Sequence, residues 1–302
     1  ATVTLNCGDG VQLNETTPTT FYIALPEGNY TNLTFTVTEI NGNTADVKQE
    51  GTAMLEAGRL WNKVARVSFT FTVGMDGTTP RTVEFAPGNL YWDGTDSKWK
   101  FEANQWSSAS TWNPNYVSHF FWSKDARVGY AADYNEANSQ YEITPTTGDV
   151  FFTNQDGFTV NGETGWRTLS YDEWNYLLGF DPEQLKQTDD YGRPGAMGLC
   201  AWKNFGNNVK GLVILPDGTD ASVMSRITST EALASSGAVF LPAAGYRRSS
   251  TGVINVGLSD LYWSSTPSGD DKSYAYYMYF ISGTVYADSG LRNIGYPVRL
   301  VR

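Results

Sequence analysis

Ala238-Val-Phe-Leu-Pro-Ala-Ala-Gly-Tyr-Arg247, Leu261-Tyr-Trp-Ser-Ser-Thr266, Ser273-Tyr-Ala-Tyr-Tyr-Met-Tyr-Phe280 and Gly295-Tyr-Pro-Val-Arg-Leu-Val-Arg302 follow one another near the end of the chain. Each run is short and apolar or aromatic, and each is punctuated by Gly, Pro or Ser. That is the pattern of short strands joined by turns. The block therefore predicts small β-sheets, and the remainder of the chain reads as its support.

Just upstream, Ser229 to Ser236 reads as a short helix stopped by Gly237. Before it, Val209-Lys-Gly-Leu-Val-Ile-Leu-Pro-Asp-Gly218 reads as a buried strand closing in a Pro-Asp-Gly turn. Ser170 followed three residues later by Glu173 is a capping box, which predicts a helix from Tyr171 to Leu178 ending at Gly179. Trp174, Leu177 and Leu178 fall on one face of that helix. The cap accounts for Glu173 without a catalytic role. Residues 103–165 lack periodicity and read as long loops with short strands, while Arg81–Phe85 and Lys98–Glu102 read as strands. Gly74-Met-Asp-Gly-Thr-Thr-Pro80 is rich in turn residues and reads as a linker, which places a domain boundary at 73/74.

In residues 1–73, Thr19–Pro26 reads as a strand. Tyr30–Ile40 alternates Leu33, Phe35 and Val37 with threonines, as a half-buried antiparallel strand does. Asn41-Gly-Asn43 marks a hairpin, Val47–Leu55 the returning strand, and Leu60–Val67 a further one.

Composition narrows the function. The net charge of −11 argues against nucleic acid and anionic membrane surfaces as partners. No apolar run is long enough for a membrane helix. The sole histidine, His119, lies among aromatics and reads as a packed or surface residue rather than a base, so histidine triads and zinc sites are not expected. The two cysteines, Cys7 and Cys200, are far apart and read as free, buried thiols. The pairs Asp189-Asp190 and Asp270-Asp271, flanked by turn residues, read as solvated turns rather than as metal or glycosidase sites. No cofactor is expected. Aromatics make up 14% of the chain, a density suited to β structure and to recognition, because Tyr and Trp give large contact area at low entropy cost.

Phe21-Tyr-Ile-Ala-Leu-Pro-Glu-Gly-Asn-Tyr-Thr-Asn-Leu-Thr-Phe-Thr-Val-Thr38, with Leu55-Glu-Ala-Gly-Arg-Leu-Trp61, resembles the C-terminal half of a fimbrillin-type domain, a β-sandwich module of pilus subunits and surface lipoproteins. The resemblance implies a partial all-β module over 1–73. From about residue 80 onward the order of motifs carries a second resemblance. Phe85-Ala-Pro-Gly-Asn-Leu90, Gly165-Trp-Arg-Thr-Leu-Ser170, Gly211-Leu-Val-Ile-Leu-Pro216, Phe240-Leu-Pro-Ala-Ala-Gly-Tyr-Arg247, Tyr262-Trp-Ser-Ser265 and Val298-Arg-Leu-Val-Arg302 occur in series. The series is similar to the bacterial C-type lectin-like fold of major paralogous domains and retroelement variable proteins. It implies an α+β domain over 74–302 with two short helices and small antiparallel sheets.

Together the resemblances imply a cell-surface adhesin or pilus-associated subunit of a Gram-negative bacterium. Its lectin-like domain would recognise a host or bacterial surface protein or glycan, beside contacts to other pilus subunits. The alternatives are a structural subunit without an external ligand and an enzyme of the formylglycine-generating type. The latter needs a cysteine pair late in the domain, where this chain has only Cys200. The calcium-dependent sugar motifs of animal lectins are also missing, with Trp263-Ser-Ser265 the nearest analogue. Carried over from the relatives, Tyr276, Met278 and Phe280 face the core, and Tyr277, Tyr279 and Ile281 face outward. The matching ligand positions are Leu258, Asp260 and Leu261, in the loop before Tyr262-Trp263, and further on Tyr286 and Asp288.

Overall fold

The computed structural model describes residues 28–38, 44–55, 69–109, 111, 113, 115–122, 134–135, 140–141, 159–234, 236–248, 252–268, 271, 273–281 and 284–302. The architecture is largely β: small antiparallel sheets with a few short helices.

Strands β1 (Gly28–Thr38) and β2 (Thr44–Leu55) form the hairpin expected from the alternating threonines. The strands expected at Thr19–Pro26 and Leu60–Val67, the turn at Asn41–Asn43 and Cys7 lie outside the described residues. Next, β3 (Phe71–Asp76) and β4 (Thr79–Val83) pair around Gly77, whose φ of +62° suits glycine. The stretch Gly74–Pro80, read above as a linker, is therefore this hairpin. Turn residues close a hairpin when the strands beside them have a core to bury, and Phe71 and Val73 are buried with Trp174 and Leu177. The boundary expected at 73/74 runs through β3.

Strands β5 (Leu90–Asp93), β6 (Lys98–Phe101) and β7 (Tyr116–Val117) make a sheet in the order β6-β5-β7. β8 (Tyr134–Asn135) and β9 (Gln140–Tyr141) pair with each other. β10 (Arg167–Thr168) leads into helix α1 (Tyr171–Leu178), and β11 (Phe180–Asp181) pairs with β12 (Lys186–Gln187). The strands β13 (Cys200–Asn204), β14 (Lys210–Ile214) and β15 (Val239–Pro242) form one sheet. Helices α2 (Val223–Arg226) and α3 (Thr230–Ala234) lie between β14 and β15 in sequence, and α2 has no counterpart in the sequence reading. The remaining strands are β16 (Tyr246–Arg248), β17 (Val253–Ile254), β18 (Ser259–Pro267), β19 (Tyr274–Ile281), β20 (Thr284–Leu291), β21 (Ile294–Gly295) and β22 (Leu300–Val301). They form the sheets β17-β16-β21 and β18-β19-β20, and β22 returns to pair with β10. Glu84 and Arg302 exchange backbone bonds of 2.8 and 3.0 Å, so the start and end of residues 84–302 lie side by side.

Helix α1 has the predicted limits and caps. Ser170 Oγ accepts from the Glu173 amide at 3.2 Å, Glu173 Oε2 accepts from the Ser170 amide at 2.9 Å, and Gly179 ends the helix in the left-handed region. Glu173 also takes a two-pronged bond from Arg167 at 2.7 and 2.8 Å. At α3, Ser229 Oγ accepts from the Ala232 amide, and Gly237 adopts a φ of +67° past its end.

Two cores share the sheet β18-β19-β20. One gathers Trp174, Leu177 and Leu178 of α1 with Tyr262, Met278 and Phe280. The other gathers Phe120, Trp122, Trp166 and Val298 with Leu261, Trp263 and Ala275. Alternation along each strand divides the sheet between the cores. A third cluster fills the space between β13-β14-β15 and the short helices, with Phe240, Ile227 and Leu233 at its centre.

The C-terminal segment is tied in by Arg299, which is fully buried. Its guanidinium donates to Asn89 Oδ1 (3.0 Å), Ala86 O (3.0 Å), Gln105 O (3.3 Å) and Phe240 O (2.7 Å). Asn89 Nδ2 in turn donates to the Tyr262 hydroxyl at 2.8 Å. Gly88 is required beside this hub, because a Cβ there would lie 2.3 Å from the Glu102 carbonyl. One buried side chain thus ties the C-terminal segment to three separated stretches, residues 86–89, Gln105 and Phe240, and satisfies acceptors in each.

Candidate functional site

The register of β18-β19-β20 decides which side chains share a face. Leu261 pairs with Tyr279 and Tyr279 with Tyr286; Trp263 pairs with Tyr277 and Tyr277 with Asp288; Ser259 pairs with Ile281. Successive strand residues point to opposite sides, so Leu261, Tyr277, Tyr279, Ile281, Tyr286 and Asp288 all fall on one face. Six of the eight positions named from the sequence come together there. Leu258 sits in the turn before β18 and is 60% exposed. Asp260 pairs with Phe280 in the alternate set of positions, and its side chain lies outside the described residues.

The face is deep at β18 and open at β20. Trp263 is fully buried, and its indole N–H donates to Phe120 O at 2.8 Å. Leu261 is also buried, so it supports the face from beneath and does not present itself to a partner. Tyr277, Tyr279 and Tyr286 are half-buried, while Asp288 and Ile281 are exposed. The gradient arises because β18 is braced from outside, with the Trp263 amide donating to Pro297 O, whereas β20 is the sheet edge.

Aromatic contacts order the surface. Tyr279 and Tyr286 lie with ring centroids 4.6 Å apart. Tyr277 meets Tyr296 edge-on at 5.3 Å, Tyr296 meets Trp263 at 4.3 Å, and Tyr246 meets Tyr296 at 6.3 Å. Arg248 lies 5.5 Å from the Tyr246 ring centre. A Cβ on Gly290 would come 2.7 Å from the Tyr277 ring, so glycine leaves room for that ring to lie against β20. Burial pushes the hydroxyls of Tyr277, Tyr286 and Tyr296 above the usual phenol range, and the Asp288 carboxylate adds to the effect. These phenols stay neutral and can both donate and accept.

Tyr246, Arg248 and Tyr296 were missed as parts of this neighbourhood. Tyr246 follows a tight Gly245 turn and Tyr296 precedes Pro297, which reads locally as scaffold. Only the pairing of β16 with β21 brings them together. Tyr276 shares its side of β19 with Met278 and Phe280 as expected, yet it stays half-exposed with its ring 4.2 Å from Tyr171.

The residues with obvious chemical reactivity lie elsewhere. His119 is buried, with Nε2 3.0 Å from Ala244 O and Nδ1 3.2 Å from Ser118 Oγ. Burial lowers its pKa from 6.5 to about 4, which keeps the ring neutral. Cys200 is a free thiol whose pKa burial raises. Asp189, Asp190 and Asp271 are exposed, the first two in a turn. Among the described residues no group of three His, Cys, Asp or Glu side chains is arranged to hold a metal ion, and no helix is long and apolar enough to cross a membrane.

A family model described as a domain of unknown function (DUF8237) matches residues 226–301, the segment that contains α3 and the strands β15 to β22. No curated protein and no solved structure matches the chain.

Proposed function

We propose that the chain is a bacterial cell-surface recognition protein. On this reading a fimbrillin-like module at residues 1–73 is followed by a C-type lectin-like domain. The domain binds a surface protein or glycan through the tyrosine face of β18-β19-β20, without catalysis. The observation that carries the reading is the convergence of Tyr277, Tyr279, Ile281, Tyr286 and Asp288 on one side of one sheet, open at its edge. Half-buried tyrosines held by neighbouring rings offer apolar contact and neutral hydroxyls already fixed in place, which lowers the entropy cost of binding. His119 is buried and neutral, and Cys200 is partly buried with its thiol pKa raised, which supports recognition over chemistry. Extracellular, fimbrial placement follows from the sequence resemblances alone.

The test is a glycan and surface-protein array probed with the whole chain, the Tyr279→Ala/Tyr286→Ala double variant and Ile281→Ser. A hit weakened at least ten-fold by the double variant supports the reading. A hit that the double variant retains at full strength moves the site elsewhere. The second reading, a structural subunit without external ligand, draws on Tyr277, whose ring is already used within the fold against Tyr296. A chain that captures nothing on the array and assembles into fibres favours that reading.

A further inference from the structure

Among the described residues, the sheet order β18-β19-β20 leaves β20 with one hydrogen-bonded neighbour. Which of its backbone groups face outward follows from the register. Tyr276 O accepts from Ser264 on the β18 side, so even-numbered residues of β19 turn their backbone groups toward β18 and odd-numbered ones toward β20. The β20 residues bonded to β19 are then Tyr286, Asp288 and Gly290, and the groups of Val285, Ala287 and Ser289 point away. The Arg292 amide donating to Ser273 O continues the same alternation. The outward Ser289 amide is taken by the Asp288 carboxylate at 2.7 Å. Among the described residues, no backbone bond joins Val285 or Ala287 to a further element.

Beside this edge the β11-β12 hairpin forms the second wall of a groove of about 470 Å³, lined among others by Phe180, Leu185 and Lys186 on the hairpin side and by Val285, Tyr286 and Asp288 on the strand side. Leu185 is 73% exposed and held at a φ of +51°, a conformation unfavourable for leucine. An apolar side chain is thus kept out in solvent at the rim. Lys186 and Asp288 line the groove itself, and the acids around it outnumber the lysine. Asp172, Asp181, Glu183 and Asp288 act on the flanking Tyr171, Tyr191 and Tyr286, while Lys186 acts on Asp181 opposite it.

We propose that the open edge of β20 is a docking strand for an extended basic peptide segment of a partner, which adds to the sheet beside Val285–Ser289. Main-chain bonding to a sheet edge supplies affinity, and alternate side chains supply selectivity. One set of peptide side chains reaches the groove wall of Phe180 and Leu185 and is apolar. The other set lies on the side of Tyr286 and Asp288 and is basic. This site adjoins the tyrosine face and shares Tyr286 and Asp288 with it, but the docking itself is read by backbone amides.

The probe is a capped octapeptide of alternating Val and Lys, compared with a Val/Glu octapeptide and with a Val/Lys octapeptide N-methylated at its four central residues. Amide hydrogen exchange of the whole chain is followed by NMR. The Val/Lys peptide is expected to slow exchange at Val285 and Ala287 at least ten-fold. The Val/Glu peptide is expected to bind at least ten-fold more weakly, and the N-methylated peptide to leave both amides unprotected. Leu185→Asn, which suits the left-handed backbone and keeps the hairpin, is expected to weaken the Val/Lys peptide about five-fold. Unchanged exchange at both amides with millimolar Val/Lys peptide overturns the proposal, and so does equal protection by the N-methylated peptide. Equal binding of Val/Glu overturns its basic character. The outcome does not depend on the array, which reads tyrosine side chains.

Discussion

The neighbourhood of Arg299 and the tyrosine face of β19 and β20 belong to the same C-terminal block, yet they treat polar groups in opposite ways. Around Arg299 every bond goes inward: one guanidinium satisfies the Asn89 side chain and three carbonyls from distant parts of the chain. On the tyrosine face Tyr277, Tyr279 and Tyr286 are half-buried and Asp288 is exposed at the edge of a sheet, where rings touch rings. The difference separates what holds the fold from what the fold can offer. A buried polar group that fails to find its partner costs stability directly, whereas a polar group at a rim is available to another molecule.

The largest expected break in this comparison is Arg299→Met. The hydrophobic stem is kept, but the carbonyls of Ala86, Gln105 and Phe240 lose their guanidinium donor, and the loss should be at least about 3 kcal/mol in chemical denaturation. If Arg299→Met melts like the parent protein, the hub is not what joins the C-terminal segment to the Ala86–Asn89 loop.

The next effect is a hidden pH dependence. Burial raises the Glu102 pKa from 4.5 to about 7, against the opposing pull of Arg299, so the folded chain holds a proton that the unfolded chain has released. Stability from this group therefore falls as pH rises between about 4.5 and 7. His119 works the other way. Its pKa falls from 6.5 to about 4, the unfolded chain binds the extra proton, and stability falls as pH drops through that window. The contributions are opposed and each on the order of 2–3 kcal/mol, so the parent protein should show a nearly flat profile between pH 5 and 6.5. Glu102→Gln should expose a steep loss toward acid, and His119→Gln should expose a loss toward neutrality. Melting temperatures against pH check both, and parallel profiles for all three proteins contradict the assignment.

Smaller still is Ser170→Ala, which removes one half of the α1 capping box and should cost about 1 kcal/mol. On the tyrosine face, Tyr277→Ala should cost about 2 kcal/mol because its ring is packed against Tyr296. Tyr279→Ala and Tyr286→Ala should each cost less than about 1 kcal/mol while carrying the binding loss. A Tyr279→Ala penalty as large as that of Tyr277→Ala would move Tyr279 from the offered surface into the scaffold.

Elements governed by neighbouring residues were legible in advance. Helix α1 follows from a cap, an apolar face and a terminating glycine, all within ten residues, and its limits agree with the expectation. The hairpin β1-β2 and strand β14 follow from alternation and turn residues in the same way. The Gly74–Pro80 stretch was misread as a linker because turn chemistry is shared by linkers and hairpins. Only the core that accepts Phe71 and Val73 distinguishes them. At the candidate site, two-residue alternation put Tyr277, Tyr279 and Ile281 on one side, but alternation says nothing about depth. Leu261 shares the face and is nevertheless buried, because a neighbouring segment covers β18 and not β20.

By itself the sequence determined what depends on contacts within a turn or two: the helix with its caps, the strand periodicity, the aromatic richness and the acidic charge. The tertiary structure alone decided which positions of the face are open, that Tyr246 and Tyr296 adjoin it, that Arg299 has its partners, and that β20 is an edge. The reason is physical. Local patterns fix backbone conformation over a few residues, whereas burial and hydrogen-bond satisfaction depend on strands brought together from remote parts of the chain, and a side chain's own neighbours in sequence carry no record of them.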